Sequence, residues 1–195
     1  MKRLLIALIC AVMIFCGCAS KEIAEDGGMS IKAVSQNAQD ENMKKLADEG
    51  YETMTCFSYS AAKTVTGIWF RLYELAGDKW EPAGEVWLAA DRASGTIAVL
   101  GDLYNDDMEA AVMTDAGIVK KSFERYAVTG TGAVTVRGSQ KQSFGRDGIS
   151  TGQEVCILTE GENGTPPDAG LFDSPSEIKS GADAVYALTA TFSAQ

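Results

Sequence analysis

Histidine is absent from all 195 residues. That absence removes Ser-His-Asp and Cys-His catalysis, histidine-ligated zinc and histidine-based pH switching. What remains for an enzyme is carboxylate, lysine or calcium chemistry, and no cofactor is implied. Basic residues are also scarce, 17 against 27 acidic ones, for a net charge of −10. Such a surface repels nucleic acid phosphates and anionic headgroups, which excludes nucleic acid as a partner. Long hydrophobic runs are missing too. The stretch Leu4 to Phe15 is uninterrupted and apolar, but at about twelve residues it falls short of the roughly 20 that a spanning helix needs.

That short run has a setting of its own. MKRLLIALICAVMIFCGCAS starts with Lys2 and Arg3, continues apolar, and ends in small residues around Cys16 and Cys18. The cysteines are not a metal or redox pair, because no histidine and no second pair is present to complete four-coordination. The plan is that of a secretory leader. It resembles the lipobox of bacterial lipoproteins, with Gly17-Cys18 matching the junction and Phe15 and Cys16 departing from the usual Leu and Ala/Ser. The resemblance covers about twenty residues. It implies cleavage before Cys18, acyl chains of the palmitate kind on that residue, and attachment outside the cytoplasm to the cell membrane. With Ala19 following the cysteine it implies the outer membrane, if the host has one. The alternative is an ordinary signal peptide cut after Gly17 or Ala19, which would release the domain.

Removal of residues 1–17 takes two basic residues and no acidic ones, leaving a net charge of −12. Attachment of so acidic a chain to a membrane must come from acyl chains rather than charge. Residues 18–28, polar and ending in Gly27-Gly28, read as a flexible tether. Residues 29–49 read as a short helical segment, with the helix opening at Ser35 as N-cap and stopping at Gly50. Its apolar face is thin: Ala38, Met43, Leu46 and Ala47.

Residues 50–195 change character, to short runs rich in β-branched and aromatic residues punctuated by glycine and aspartate. Strands are expected at 51–60, 65–75, 79–90, 95–101, 108–114, 118–128, 131–137, 153–160 and 184–193. In the last, Tyr186, Leu188, Ala190 and Phe192 share one face and Thr189 and Thr191 the other. The fold expected is an antiparallel β-sandwich with a short N-terminal helix and a lipidated tether; a lipocalin-like barrel is the alternative. Residues 161–183 hold three of the four prolines and read as a long excursion before the last strand.

TGIWFRLYELAGDKWEPAGEVWLAAD reads as a hairpin about Gly77-Asp78. A plain two-residue turn sets Ile68 against Trp87 and Arg71 against Gly84. One extra residue within Glu81 to Gly84, where Pro82 and glycine tolerate a bulge, sets Ile68 against Leu88, Phe70 against Val86, Trp69 against Trp87 and Arg71 against Glu85. Like then meets like in the core and opposite charges meet on the other face. Trp69, Tyr73 and Trp87 would form an aromatic row flanked by Arg71 and Glu85, a platform for the apolar faces of sugar rings. The competing reading is that the helix or the excursion 161–183 covers this face and makes it core.

Other constellations carry less. Cys56 and Cys156 lie in strand-like runs and form either an extracytoplasmic disulfide or two buried thiols. Asp102, Asn105, Asp106, Asp107 and Glu109 offer oxygen donors but not the spacing of a calcium loop, so no metal site is assigned. Ser60-Ala-Ala-Lys63 matches S-x-x-K without the helix or the companion motifs that nucleophile needs. The function expected is a non-enzymatic binding or envelope-interaction module, with a glycan or an envelope protein as partner. The alternative is a small surface hydrolase that works with paired carboxylates, like a glycosidase.

Overall fold

The computed structural model describes residues 28–35, 41–49, 51, 53–127 and 138–195. Cys18, the leader, nearly all of the tether and the expected strand 131–137 lie outside them. Among the described residues ten strands form: β1 (Met29–Val34), β2 (Met54–Ala76), β3 (Lys79–Leu100), β4 (Glu109–Thr114), β5 (Gly117–Ser122), β6 (Glu124–Arg125), β7 (Ser139–Ser143), β8 (Arg146–Ile149), β9 (Glu154–Glu162) and β10 (Ala184–Ala194). The same residues hold one helix, α1 (Glu41–Asp48), and two short 3-10 turns. No helix among the described residues is long and apolar enough to cross a membrane.

The all-β, antiparallel expectation holds. All ten strands belong to one sheet, in the order β5-β4-β3-β2-β10-β9-β7, with β1 and β8 extending from the first half of β2 and β6 from the start of β3. Instead of two separate sheets, a single sheet curls into a half-barrel, and its two halves face each other across the core. The curl originates in the β2–β3 hairpin. Four expected strands are here two long ones of 23 and 22 residues, joined at Gly77, whose φ of +65° suits a tight turn.

Bulges along the hairpin explain why such long strands can serve both halves. The register shifts between Ser60 and Val65 and again between Val65 and Gly67. Each odd insertion exchanges the two faces of a strand. Phe57 and Tyr59, with Ile97 and Val99, therefore face the same core as Ile68, Phe70 and Leu72, with Val86 and Leu88. Leu158, Leu188, Ala190 and Phe192 complete that cluster from β9 and β10.

Among the described residues the helix spans Glu41–Asp48 and docks by Met43 and Leu46, while residues 36–40 of the expected helix lie outside them. Ala47 is exposed, and Ala38 lies outside the described residues. The docking site is a second cluster of Met54, Cys56, Ala98, Leu100, Ala111 and Met113, on the outer face of the first half of the sheet. Residues 29–34, assigned to the helical segment, are corrected to strand β1. Met29 and Ile31 alternate with Ser30 and Lys32 and enter the main core, so the packed domain begins before residue 50. β7, SQKQS, and β8, RDGI, were not expected as strands, since neither shows an apolar face.

Candidate binding face

The hairpin's second half decides what faces outward. Ile68, Phe70, Leu72, Val86 and Leu88 point into the core, so Trp69, Arg71, Glu85 and Trp87 stand on the other face. Their register is the bulged one: Trp69 opposite Trp87, Arg71 opposite Glu85, Ile68 opposite Leu88. The extra residue is Ala83, since Leu72 pairs with Gly84 and Tyr73 with Pro82. Neither α1 nor the excursion seals the tryptophans, which are 36% and 38% exposed.

Each indole is held from its own side. A Cβ placed at Gly67 would lie 2.5 Å from Trp87 Nε1, so the indole rests directly on bare backbone. The Lys121 ammonium lies 5.5 Å from the Trp87 ring centre, and the Arg71 guanidinium 6.0 Å from that of Trp69. Both distances fit attraction between a cation and the negative face of an aromatic ring.

Arg71 is itself fixed between two carboxylates, Glu85 at 3.7 Å and Glu154 at 3.6 Å. Glu154 Oε1 also accepts hydrogen bonds from Tyr73 Oη (2.9 Å) and Thr189 Oγ1 (2.6 Å). Tyr126, 38% exposed, lies beside Glu85 at the border of the face. The result is a rim of fixed donors and acceptors beside two indoles, which can hold a ring-shaped ligand with hydroxyl groups and requires no group to titrate.

Tyr73 is less open than its place in the row implied. The excursion brings Phe172 edge-on to Tyr73, with ring centres 5.4 Å apart, and stacks it on Trp80 at 5.5 Å. Trp80 Nε1–H donates to the Phe172 carbonyl at 3.0 Å. Burial, reinforced by the bond to Glu154, pushes the Tyr73 phenol up to about 12. Tyr73 and Trp80 therefore support one end of the face rather than present it. Glu154 and Lys121 were not singled out from sequence, because both reach the face by tertiary placement. The alternation Glu154-Val155-Cys156 was a usable signal: Val155 is core, so Glu154 had to face outward.

The disulfide reading is corrected. Cys56 is packed in the cluster under α1, whereas Cys156 lines a cavity with Phe144, Glu154, Asp168 and Phe172, and both are thiols. Burial pushes the Cys156 thiol up to about 12, so it stays protonated. Ser60 and Lys63 sit inside the continuous strand β2, which is not the helix start that a nucleophile of that motif occupies.

Three of the acids that follow β3 face neighbouring cations. Asp102 pairs with Lys141 at 2.7 Å and accepts from Tyr104 Oη at 3.0 Å. Burial opposes that carboxylate's charge, but these bonds outweigh it and hold it below the usual range. Asp106 faces Arg125 at 3.8 Å, and Glu109 faces Lys120 at 3.7 Å. No group of three or more acidic or cysteine side chains among the described residues is arranged for a metal ion.

A separate row of acids closes one end of the core. Glu74, Tyr186, Glu160 and Lys141 are cross-strand partners in turn, two residues beyond the buried row of Leu72, Leu188 and Leu158. Glu160 is 0% exposed, Glu162 3% and Glu74 6%. Burial raises the Glu160 and Glu162 carboxyls above the usual range, and for Glu162 the neighbouring Glu160, Glu74 and Asp183 charges add to it. Glu160 Oε2 accepts from the Leu103 amide at 2.6 Å, while Oε1 has no hydrogen-bond partner among the described residues. No known protein family, curated protein or solved structure matches the chain.

Proposed function

We propose that the chain is an extracytoplasmic lipoprotein, anchored by acyl chains on Cys18, whose β-domain holds a glycan on the Trp69–Trp87 face without transforming it. The observation that carries the binding reading is the pair itself. Two large aromatic side chains lie directly opposite each other and remain exposed on a sheet whose other face is fully packed. Indoles in that position offer flat apolar surface at little conformational cost. Arg71, Glu85 and Glu154 supply a fixed polar border for hydroxyl groups. The anchor reading is supported by the leader's short apolar run and by Gly17-Cys18 at its end.

Glycan and peptidoglycan arrays probed with the full chain test the binding reading. Binding should be lost in Trp69→Ala with the fold retained, because a one-third exposed indole contributes less to stability than the about 3–5 kcal/mol of a fully buried one. Array binding unchanged by Trp69→Ala and by Trp87→Ala would sink it. Turnover of a bound glycan, abolished by replacing one acidic residue, would establish the carboxylate hydrolase instead. For the anchor, cells fed labelled fatty acid should incorporate label into the chain but not into Cys18→Ser; equal label in both would refute lipidation there.

A further inference from the structure

Several cations of this acidic molecule are answered by carboxylates. Arg71 lies between Glu85 and Glu154, Arg92 is on Asp115, Lys120 on Glu49 and Glu109, Arg125 on Asp106, and Lys141 on Asp102. Lys121 differs. It is exposed, and among the described residues it faces no carboxylate; its ammonium lies over the Trp87 indole instead. We infer that the Trp69–Trp87 face takes an acidic sugar, with the ligand's carboxylate paired to Lys121 Nζ. This deepens the glycan-binding reading and rests on it.

The physical case concerns what a ligand must displace. A pyranose stacking on the outer side of Trp87 moves the ammonium off the indole, because the inner side already rests on Gly67. A neutral sugar takes away that attraction and returns nothing to the charge. A carboxylate on the ring returns an ion pair at the edge of an apolar contact, where it is stronger than in open water. Arg71 is a poorer partner for that carboxylate, since Glu85 and Glu154 already neutralise it and would repel a third acid. The polarity of the face thus sets an orientation, with the ligand's acid toward Lys121 and its hydroxyls toward Arg71, Glu85 and Glu154. A chain of net charge −10 repels acidic ligands at long range, so selectivity for them has to come from a local cation of this kind.

The full chain, purified in detergent, is titrated with uronic-acid and muramic-acid oligosaccharides, each beside its carboxyl-reduced counterpart. At least one acidic member should bind more tightly than its reduced partner by roughly two- to fivefold at low salt, the range of one exposed ion pair, and the margin should shrink as salt rises. Lys121→Gln should erase the margin without weakening binding of the reduced sugar, which no longer has an ammonium to displace from Trp87, and Lys121→Arg should keep the margin. Acidic and reduced sugars bound alike, or a margin that survives Lys121→Gln, overturns the acidic-ligand inference and leaves the glycan platform standing. Binding to no sugar of either kind overturns the platform itself.

Discussion

At Gly67 the absence of a side chain has a consequence one strand away. The Trp87 ring occupies the space a Cβ would fill, so the flat presentation of that indole depends on a residue that no inventory of functional groups would select. Gly67→Ala should separate binding from stability. Within a strand, alanine is favoured over glycine by about 0.5–1 kcal/mol, which offsets much of the cost of moving one exposed ring. The expected outcome is a free energy of unfolding within about 1 kcal/mol of the parent, a changed tryptophan emission spectrum, and glycan binding lost or strongly weakened. An unchanged spectrum with unchanged binding would show that Trp87 does not need its seat. Register at this face was legible from residue chemistry because aromatic, apolar and charged pairs matched under one alignment and clashed under the other. Lys121 and Glu154 were not legible as partners of it. Their positions depend on how β5 and β9 are placed by the curl, and the residue pattern carries only which face each one leaves from.

Among the elements, what could be read in advance tracks how much apolar alternation each one carries. β10, AVYALTATFSA, buries Leu188, Ala190 and Phe192 as its alternation requires. β7, SQKQS, has no apolar face at all and is a strand only because Ser139 to Ser143 pair with Glu162 to Leu158 of β9; its stability is borrowed from its neighbour. β1 is intermediate, with two inward residues followed by Lys32 and Ala33, which are exposed. The helix shows the same economy. Eight residues are too few to be stable alone in water, and α1 is attached by two side chains, Met43 and Leu46, both nearly inaccessible. Leu46→Ala should therefore cost about 2–5 kcal/mol locally, read as accelerated amide exchange across 41–48. Cys56, beneath the helix, should become more reactive toward alkylating reagents in the same variant. Binding at the Trp face should be unaffected, since the helix covers the outer face of the other half of the sheet. Protection of 41–48 equal to that of the parent would mean that α1 is held by something other than this contact.

For the whole molecule, the buried acids make stability depend on pH in a direction opposite to that of most carboxylates. Glu160 and Glu162 sit where burial disfavours their charge, and the two lie close to Glu74, Asp102, Asp183, Tyr104 and Tyr186, with Lys141 and Arg125 as the opposing cations. Their carboxyls are raised above the unfolded value of about 4.3. A raised carboxyl favours the folded state fully while both states are protonated, and loses that contribution as pH climbs through the raised folded value. Asp102 acts the other way, because its lowered carboxyl contributes above the unfolded value and loses its share only as pH falls through the lower folded one. The domain should consequently be more stable near pH 5 than near pH 7.5, and should lose stability again in stronger acid. Glu160→Gln isolates the cause. The amide keeps an oxygen for the Leu103 N–H and places an NH2 where the unpartnered Oε1 stood. It removes the buried charge without emptying the space. Urea unfolding at the two pH values should show the variant to be more stable than the parent at pH 7.5, with a smaller difference between pH 5 and 7.5. If the parent is no less stable at pH 7.5 than at pH 5, or if Glu160→Gln keeps the full difference, then Lys141 and Arg125 compensate these acids completely and the end of the half-barrel is electrostatically balanced.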